Sequence, residues 1–209
     1  MASNISFYNA AKTAFDETYE LINSTENWKE VKRTQLGDVV ATKKNTRGDN
    51  IYRINSIIDT SAEKLIRALQ DVSNSTKWNK TLTKCEVISE LDEGVQITYQ
   101  ITSGGGGNLV SPRDFVLVIK KGYKGKDYLQ AGCSIEHPDV PKDKNLVRAW
   151  NGPGGQMVRI IPSDPNKCEL YWLMDCKYNG SIMPSILAIA MPIAQTQFVD
   201  CVREMVKTL

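Results

Sequence analysis

Over the first 23 positions apolar residues recur at helical spacing. Phe7, Ala10, Ala11, Ala14, Phe15, Tyr19 and Ile22 fall on one face, which predicts a helix to about Asn23 with Asn4 or Ser6 as its cap. From Trp28 to Asp59 the period changes. "WKEVKRT", "VVATKKN" and "NIYRINSIID" alternate or carry β-branched residues, and Gly37-Asp38 and Arg47-Gly48-Asp49-Asn50 supply turns. Three strands are expected there. Thr60 or Ser61 then caps a short helix, "SAEKLIRALQD", whose Glu63 suits the positive end of the helix dipole. "NSTKWNK" reads as another helical turn. Strand patterns return at about 82–91, 94–102, 115–123, 127–136, 145–161 and 167–178. Short turns link several of them, which gives antiparallel pairing.

The final stretch, "MPSILAIAMPIAQTQFVDCVREMVKTL", is predicted to be a helix of about 25 residues. Pro184 suits its first turn, and Pro192 should kink it. One apolar stripe runs through Leu187, Met191, Ala194, Phe198, Cys201 and Met205. A second, Ile186, Ile189, Ala190 and Ile193, covers only the first half. A half-helix apolar all round is expected to be buried all round. The whole is an α+β fold in one domain, residues 1–209. About nine antiparallel strands curve around the long C-terminal helix. Concave sheet and helix cannot meet everywhere, so an apolar tunnel is left for a ligand.

Composition narrows the field. The 26 Lys and Arg and 24 Asp and Glu give a net charge of +2 and are scattered, without the basic stripe of a nucleic-acid binder. No nucleic-acid partner is expected. Five cysteines, Cys85, Cys133, Cys168, Cys176 and Cys201, lack CxxC spacing, and His137 is the only histidine. A zinc site is not expected, and the cysteines read as buried free thiols. "MASNISFYNAAKTAF" lacks the basic start and apolar core of a signal peptide, and the apolar run Ile186–Ala194 falls short of the roughly 20 residues of a bilayer span. A soluble, cytoplasmic monomer is the expectation.

"GGGGNLVSPRDF" (residues 104–115) is the segment most suggestive of chemistry. A phosphate loop needs Lys-Ser or Lys-Thr after its glycines and then a helix; here a strand follows. His137, in "EHPDVP", lies near Glu136 and Asp139 but has no neighbouring nucleophile, and it reads as an exposed loop histidine. Arg113 and Asp114 are adjacent and point to opposite faces of a strand, so they suit ion pairs that tie the loop down better than acid–base work. No paired-carboxylate constellation can be placed on one face. The residues point away from an enzyme.

"GGNLVSPRDFV", "EHPDVPKDKNLVRAWNGPGG", "DPNKCELYWLMDCKYNGSIMPS" and "QTQF" on the last helix resemble the START family of lipid-transfer domains, and most of all its steroidogenic-acute-regulatory-like branch. The resemblance runs from about Trp28 to Leu209. It implies a helix-grip fold: nine antiparallel strands around the C-terminal helix, with a tunnel for one lipid. "SGGGGNLVSP" then corresponds to a loop that gates the tunnel with the last helix, Gly104, Gly105, Gly106 and Gly107 giving it conformational range. Implied ligand-binding positions are Asn79 in "WNK", Asn151 in "RAWNGP", Ala149 on the same strand face, and Ile186, Ile189, Ala190 and Ile193 on the helix.

Two family positions depart. One that is acidic in several sterol carriers is Gln100 here, and that of its basic partner is Ile119. Losing both members of a buried pair together avoids an unpaired buried charge. The tunnel is therefore expected to be uncharged, with amides to meet a sterol hydroxyl and no cation for a phosphate headgroup. The resemblance thus implies a non-catalytic carrier of one apolar lipid, a sterol, between membranes. A carotenoid carrier is the alternative, and an enzyme or ligand sensor on the same fold the second. Partners are the lipid and, transiently, a membrane; no cofactor beyond the lipid is implied.

Overall fold

The computed structural model describes residues 2–91, 93–104 and 110–209. Helix α1 (Ala2–Asn23) leads into β1 (Lys29–Arg33), β2 (Val39–Lys44) and β3 (Asn50–Ile58). Next come α2 (Ala62–Gln70), a single 3₁₀ turn (Val72–Asn74) and the one-turn helix α3 (Ser75–Trp78). Strands β4 (Leu82–Glu90), β5 (Val95–Thr102), β6 (Arg113–Lys124) and β7 (Asp127–Ser134) follow. The chain then passes through β8 (Val147–Arg148), β9 (Trp150–Asn151), β10 (Gly154–Ile160), β11 (Cys168–Met174) and β12 (Cys176–Lys177) to α4 (Pro184–Val206).

Nine strands form an antiparallel path in the order β1-β2-β3-β11-β10-β7-β6-β5-β4. Short β8 pairs parallel with the start of β6, and β9 pairs with β12 apart from the main sheet. α1 covers the outer face: Ala11 packs with Val116 and Val118, and Phe15 and Ile22 pack with Leu129 and Met157. The inner face carries Tyr52, Ile54, Ile58 and Leu170 against Leu65 and Leu69 of α2 and Phe198, Val199 and Val202 of α4. Each such side chain stabilises the fold by roughly 1.5–3 kcal/mol when fully buried. Sharp curvature at the sheet centre needs Gly132, opposite Ile119 on β6. A Cβ there would sit 1.8 Å from the Val118 carbonyl oxygen.

Three local expectations need correction. α1 begins at Ala2, so Asn4 and Ser6 fall inside the helix and not at its N-terminal boundary. The segment 145–161 is not one strand. It breaks at Ala149 and again at Gly152-Pro153, because β8 pairs with β6 whereas β9 pairs with β12. The first half of α4 is not buried on every side: Ile189 is 57% exposed. The cap of α2 is Ser61, whose Oγ accepts the Lys64 N–H. α4 runs 23 residues with Pro192 inside it, and the Thr196 hydroxyl donates to the Pro192 carbonyl at 3.1 Å. In length and composition it matches a membrane-crossing helix, but here its second half packs on the inner sheet face.

Candidate functional site

Between the concave sheet, α2–α3 and α4 lies a cavity of about 240 Å³. Ligand pockets usually run to about 300–1,000 Å³, so this one lies just below the lower end of that range. β6 supplies one wall by strict alternation: Arg113, Phe115, Leu117, Ile119 and Lys121 all face inward. β5 turns a polar face to the cavity through Gln96, Gln100 and Thr102. Trp172 on β11 faces in, its ring 4.4 Å from that of Phe198 on α4. Trp78 of α3 stands on the other side of Phe198, at 6.0 Å between ring centres.

Of the positions expected from sequence, Asn79, Gln100, Ile119, Asn151 and Ala190 line the cavity. Their amides are partly committed already. Asn79 Oδ1 accepts from both the Thr81 N–H and its hydroxyl, at 3.1 and 2.6 Å. Asn151 Oδ1 accepts the Cys176 thiol at 2.9 Å, and Gln100 Nε2 donates to Thr98 Oγ1 at 3.3 Å. Burial pushes the Cys176 thiol up to about 12, so it is a hydrogen-bond donor and not a thiolate.

Ala149, Ile186, Ile189 and Ile193 do not line the cavity. Ala149 is fully buried at the β8–β9 break, where its N–H donates to the Asp114 carbonyl at 3.0 Å. The strand alternation that would pair it with Asn151 does not pass through that break. On α4 the inward residues are Ala190, Met191, Ala194 and Phe198. The stripe through Met191, Ala194 and Phe198 faces the cavity, and Ile189 of the second stripe points to solvent. Of the expected gate, Gly104 lines the cavity mouth in left-handed backbone (φ +87°), where a Cβ would meet the Val110 carbonyl at 2.7 Å. Gly105, Gly106 and Gly107 lie outside the described residues.

The expected uncharged tunnel is also corrected. Arg113 is 3% exposed and lines the cavity, and Lys121 lines it at the far end of the same strand face. Arg113 makes no described ion pair. Its Nε donates to the Tyr178 carbonyl at 3.0 Å, Nη1 to the Ser111 carbonyl at 2.6 Å and Nη2 to the Asn179 carbonyl at 3.4 Å. Burial pulls its pKa below the ordinary arginine value. Its neighbour Asp114 does form the expected kind of tie, a buried ion pair with Arg148 at 2.8 Å. Alternation along β6 carried the missed signal: a strand that turns Ile119 inward must turn Arg113 and Lys121 inward too.

His137 is less exposed than its loop suggests. Its ring stacks on Phe7 of α1 at 5.8 Å, and Nδ1 accepts the Asp139 N–H at 3.3 Å. It does not line the cavity.

The model of the START domain matches residues 10–209. Mouse "Steroidogenic acute regulatory protein, mitochondrial" is 24% identical over 96% of this chain and 71% of its own length. Among solved structures, human StAR-related lipid transfer protein 5 superposes with a TM-score of 0.88 at 21% identity, covering 97% of both chains. The Zhui aromatase/cyclase from a Streptomyces strain shares the fold at a TM-score of 0.54 and 10% identity, over 75% of this chain and 93% of its own. With a curved sheet gripping its last helix over an internal cavity, and a family match across nearly its whole length, this chain belongs to the START domain family.

Proposed function

We propose that this chain is a non-catalytic carrier that takes one lipid, a sterol, into the cavity under α4 and moves it between membranes. The carrying observation is the cavity itself. It is mainly apolar, is closed on one side by α4, and is lined by the amides of Gln100 and Asn151, groups able to hydrogen-bond a sterol hydroxyl. Burial of apolar surface drives loading, at roughly 25 cal/mol per Å² removed from water. The relatives' names supply the context of lipid transfer. Membrane contact falls to the start of α4, where Met183 is 61% and Ile189 57% exposed. Apolar side chains exposed on the helix that covers the cavity suit a bilayer surface.

The test is mass spectrometry of the organic extract of protein purified from its native tissue, with an absorption spectrum of the same sample. A stoichiometric sterol supports the reading. A visible absorption band with a co-purifying polyene would replace the sterol with a carotenoid. Conversion of an added lipid to a product would remove "non-catalytic".

A further inference from the structure

Two cations bracket the cavity wall of β6. Arg113 and Lys121 stand at opposite ends of the Phe115, Leu117, Ile119 run, about 26 Å apart along the strand. Their surroundings differ. Backbone carbonyls take up the Arg113 guanidinium. Lys121 Nζ donates to the Gln70 carbonyl at 3.1 Å, capping the end of α2, and makes no described ion pair. An ammonium has three donors, so one such bond leaves Lys121 under-used.

Gln96 serves the same end of the cavity. It lies opposite Ile119 across β5–β6 and so diagonal to Lys121, a spacing of about 7–8 Å that two long side chains bridge easily. Gln96 is 7% exposed, lines the cavity, and buries its Nε2 with no hydrogen-bond partner. A buried donor left unmet is costly. Burial also holds the Lys121 ammonium below its ordinary value, against the opposing pull of Glu90, Cys85 and Asp71 around it. No Asp or Glu of the described residues lines the cavity. Capping of α2 accounts for the position of Lys121 but leaves the Gln96 amide without a role.

We propose that Lys121 and Gln96 form an anion subsite, and that the lipid carried is an acidic amphiphile. Its apolar body lies along Phe115, Leu117 and Ile119, and its carboxylate or sulfate oxygens accept from Lys121 Nζ and Gln96 Nε2. This rests on the carrier reading above and replaces its neutral sterol with an acidic lipid. A neutral lipid gives the subsite at best one weak acceptor, whereas an oxyanion satisfies both donors and the charge.

Binding of two matched pairs to the full chain tests it: cholesterol sulfate against cholesterol, and oleate against oleyl alcohol. The readout is the acid-to-neutral affinity ratio. In the natural protein the acid of at least one pair is expected to bind about 10- to 100-fold tighter. In Lys121→Met and Gln96→Leu, checked for folding by thermal melting, that ratio should fall toward one. Which pair shows the preference tells sulfate from carboxylate. Ratios near one in the natural protein would overturn the subsite and leave the carrier standing. A preference that survives both substitutions would overturn its assignment to these residues. Failure of all four compounds to bind would overturn the carrier reading and the subsite together.

Discussion

Asp38 and Arg203, 165 positions apart in sequence, meet in a two-pronged ion pair, Nη2 to Oδ1 at 2.5 Å and Nη1 to Oδ2 at 2.9 Å. Asp38 sits in the β1–β2 turn and is 1% exposed, so the pair fastens the C-terminal half of α4 to the sheet edge. Burial alone would raise the Asp38 pKa. Hydrogen bonds from Arg203 and Thr34 outweigh it and leave the carboxyl below its ordinary value. A lowered folded pKa means the pair stabilises fully above the unfolded value of about 3.9 and progressively less as pH falls through the folded one. Arg203→Met strands a buried carboxylate and should cost about 3 kcal/mol near neutral pH, and less near about pH 3. Urea unfolding at both pH values measures this; equal losses would show that the pair is not a source of acid sensitivity.

Arg113 joins two segments at the cavity mouth through the Ser111 carbonyl and the Tyr178 and Asn179 carbonyls. Lysine cannot span these acceptors, because it lacks the planar fork. Arg113→Lys should therefore lower stability by about 1–3 kcal/mol and speed amide exchange at 178–182. A melting temperature and exchange pattern unchanged from the natural protein would remove Arg113 as a clamp.

Ile119 lies on the cavity wall of β6 between Leu117 and Lys121. Ile119→Arg places a third cation on that face with no described carboxylate lining the cavity, and it should weaken cholesterol binding by at least about tenfold. Unchanged affinity would mean that the ligand does not lie against β6.

Ile189 points away from the cavity and into solvent. Ile189→Glu is expected to leave stability within about 0.5 kcal/mol and to reduce sterol transfer between vesicles while equilibrium binding is retained. Undiminished transfer would place the membrane contact elsewhere.

The fold was legible where hydrophobic period and turn chemistry agreed. The three early strands, the hairpins of β4 to β7, the Ser61 cap and the C-terminal helix all follow from local pattern. The 145–161 stretch misled because its breaks come from pairing partners far away in sequence. For α4 two apolar stripes compete, and only the tertiary position of β11, with Trp172 against Phe198, decides which faces inward. The site was legible by resemblance at Asn79, Gln100, Ile119 and Asn151, which do line the cavity. Lys121 and Gln96 were missed although plain strand alternation from Ile119 and Gln100 reaches both.

Gly132 limits which positions of the cavity wall can accept a different side chain. At its position any side chain would collide with the Val118 backbone, and backbone cannot yield as a flexible neighbour does. Directly across the strand pair, Ile119 presents an ordinary side chain to the cavity. Substitutions at Leu117, Ile119 and Gln100 can therefore reshape the cavity wall, whereas a side chain at Gly132 would part β6 from β7. A different cargo would have to be met by the side chains of one wall, beside a seam with no room for any.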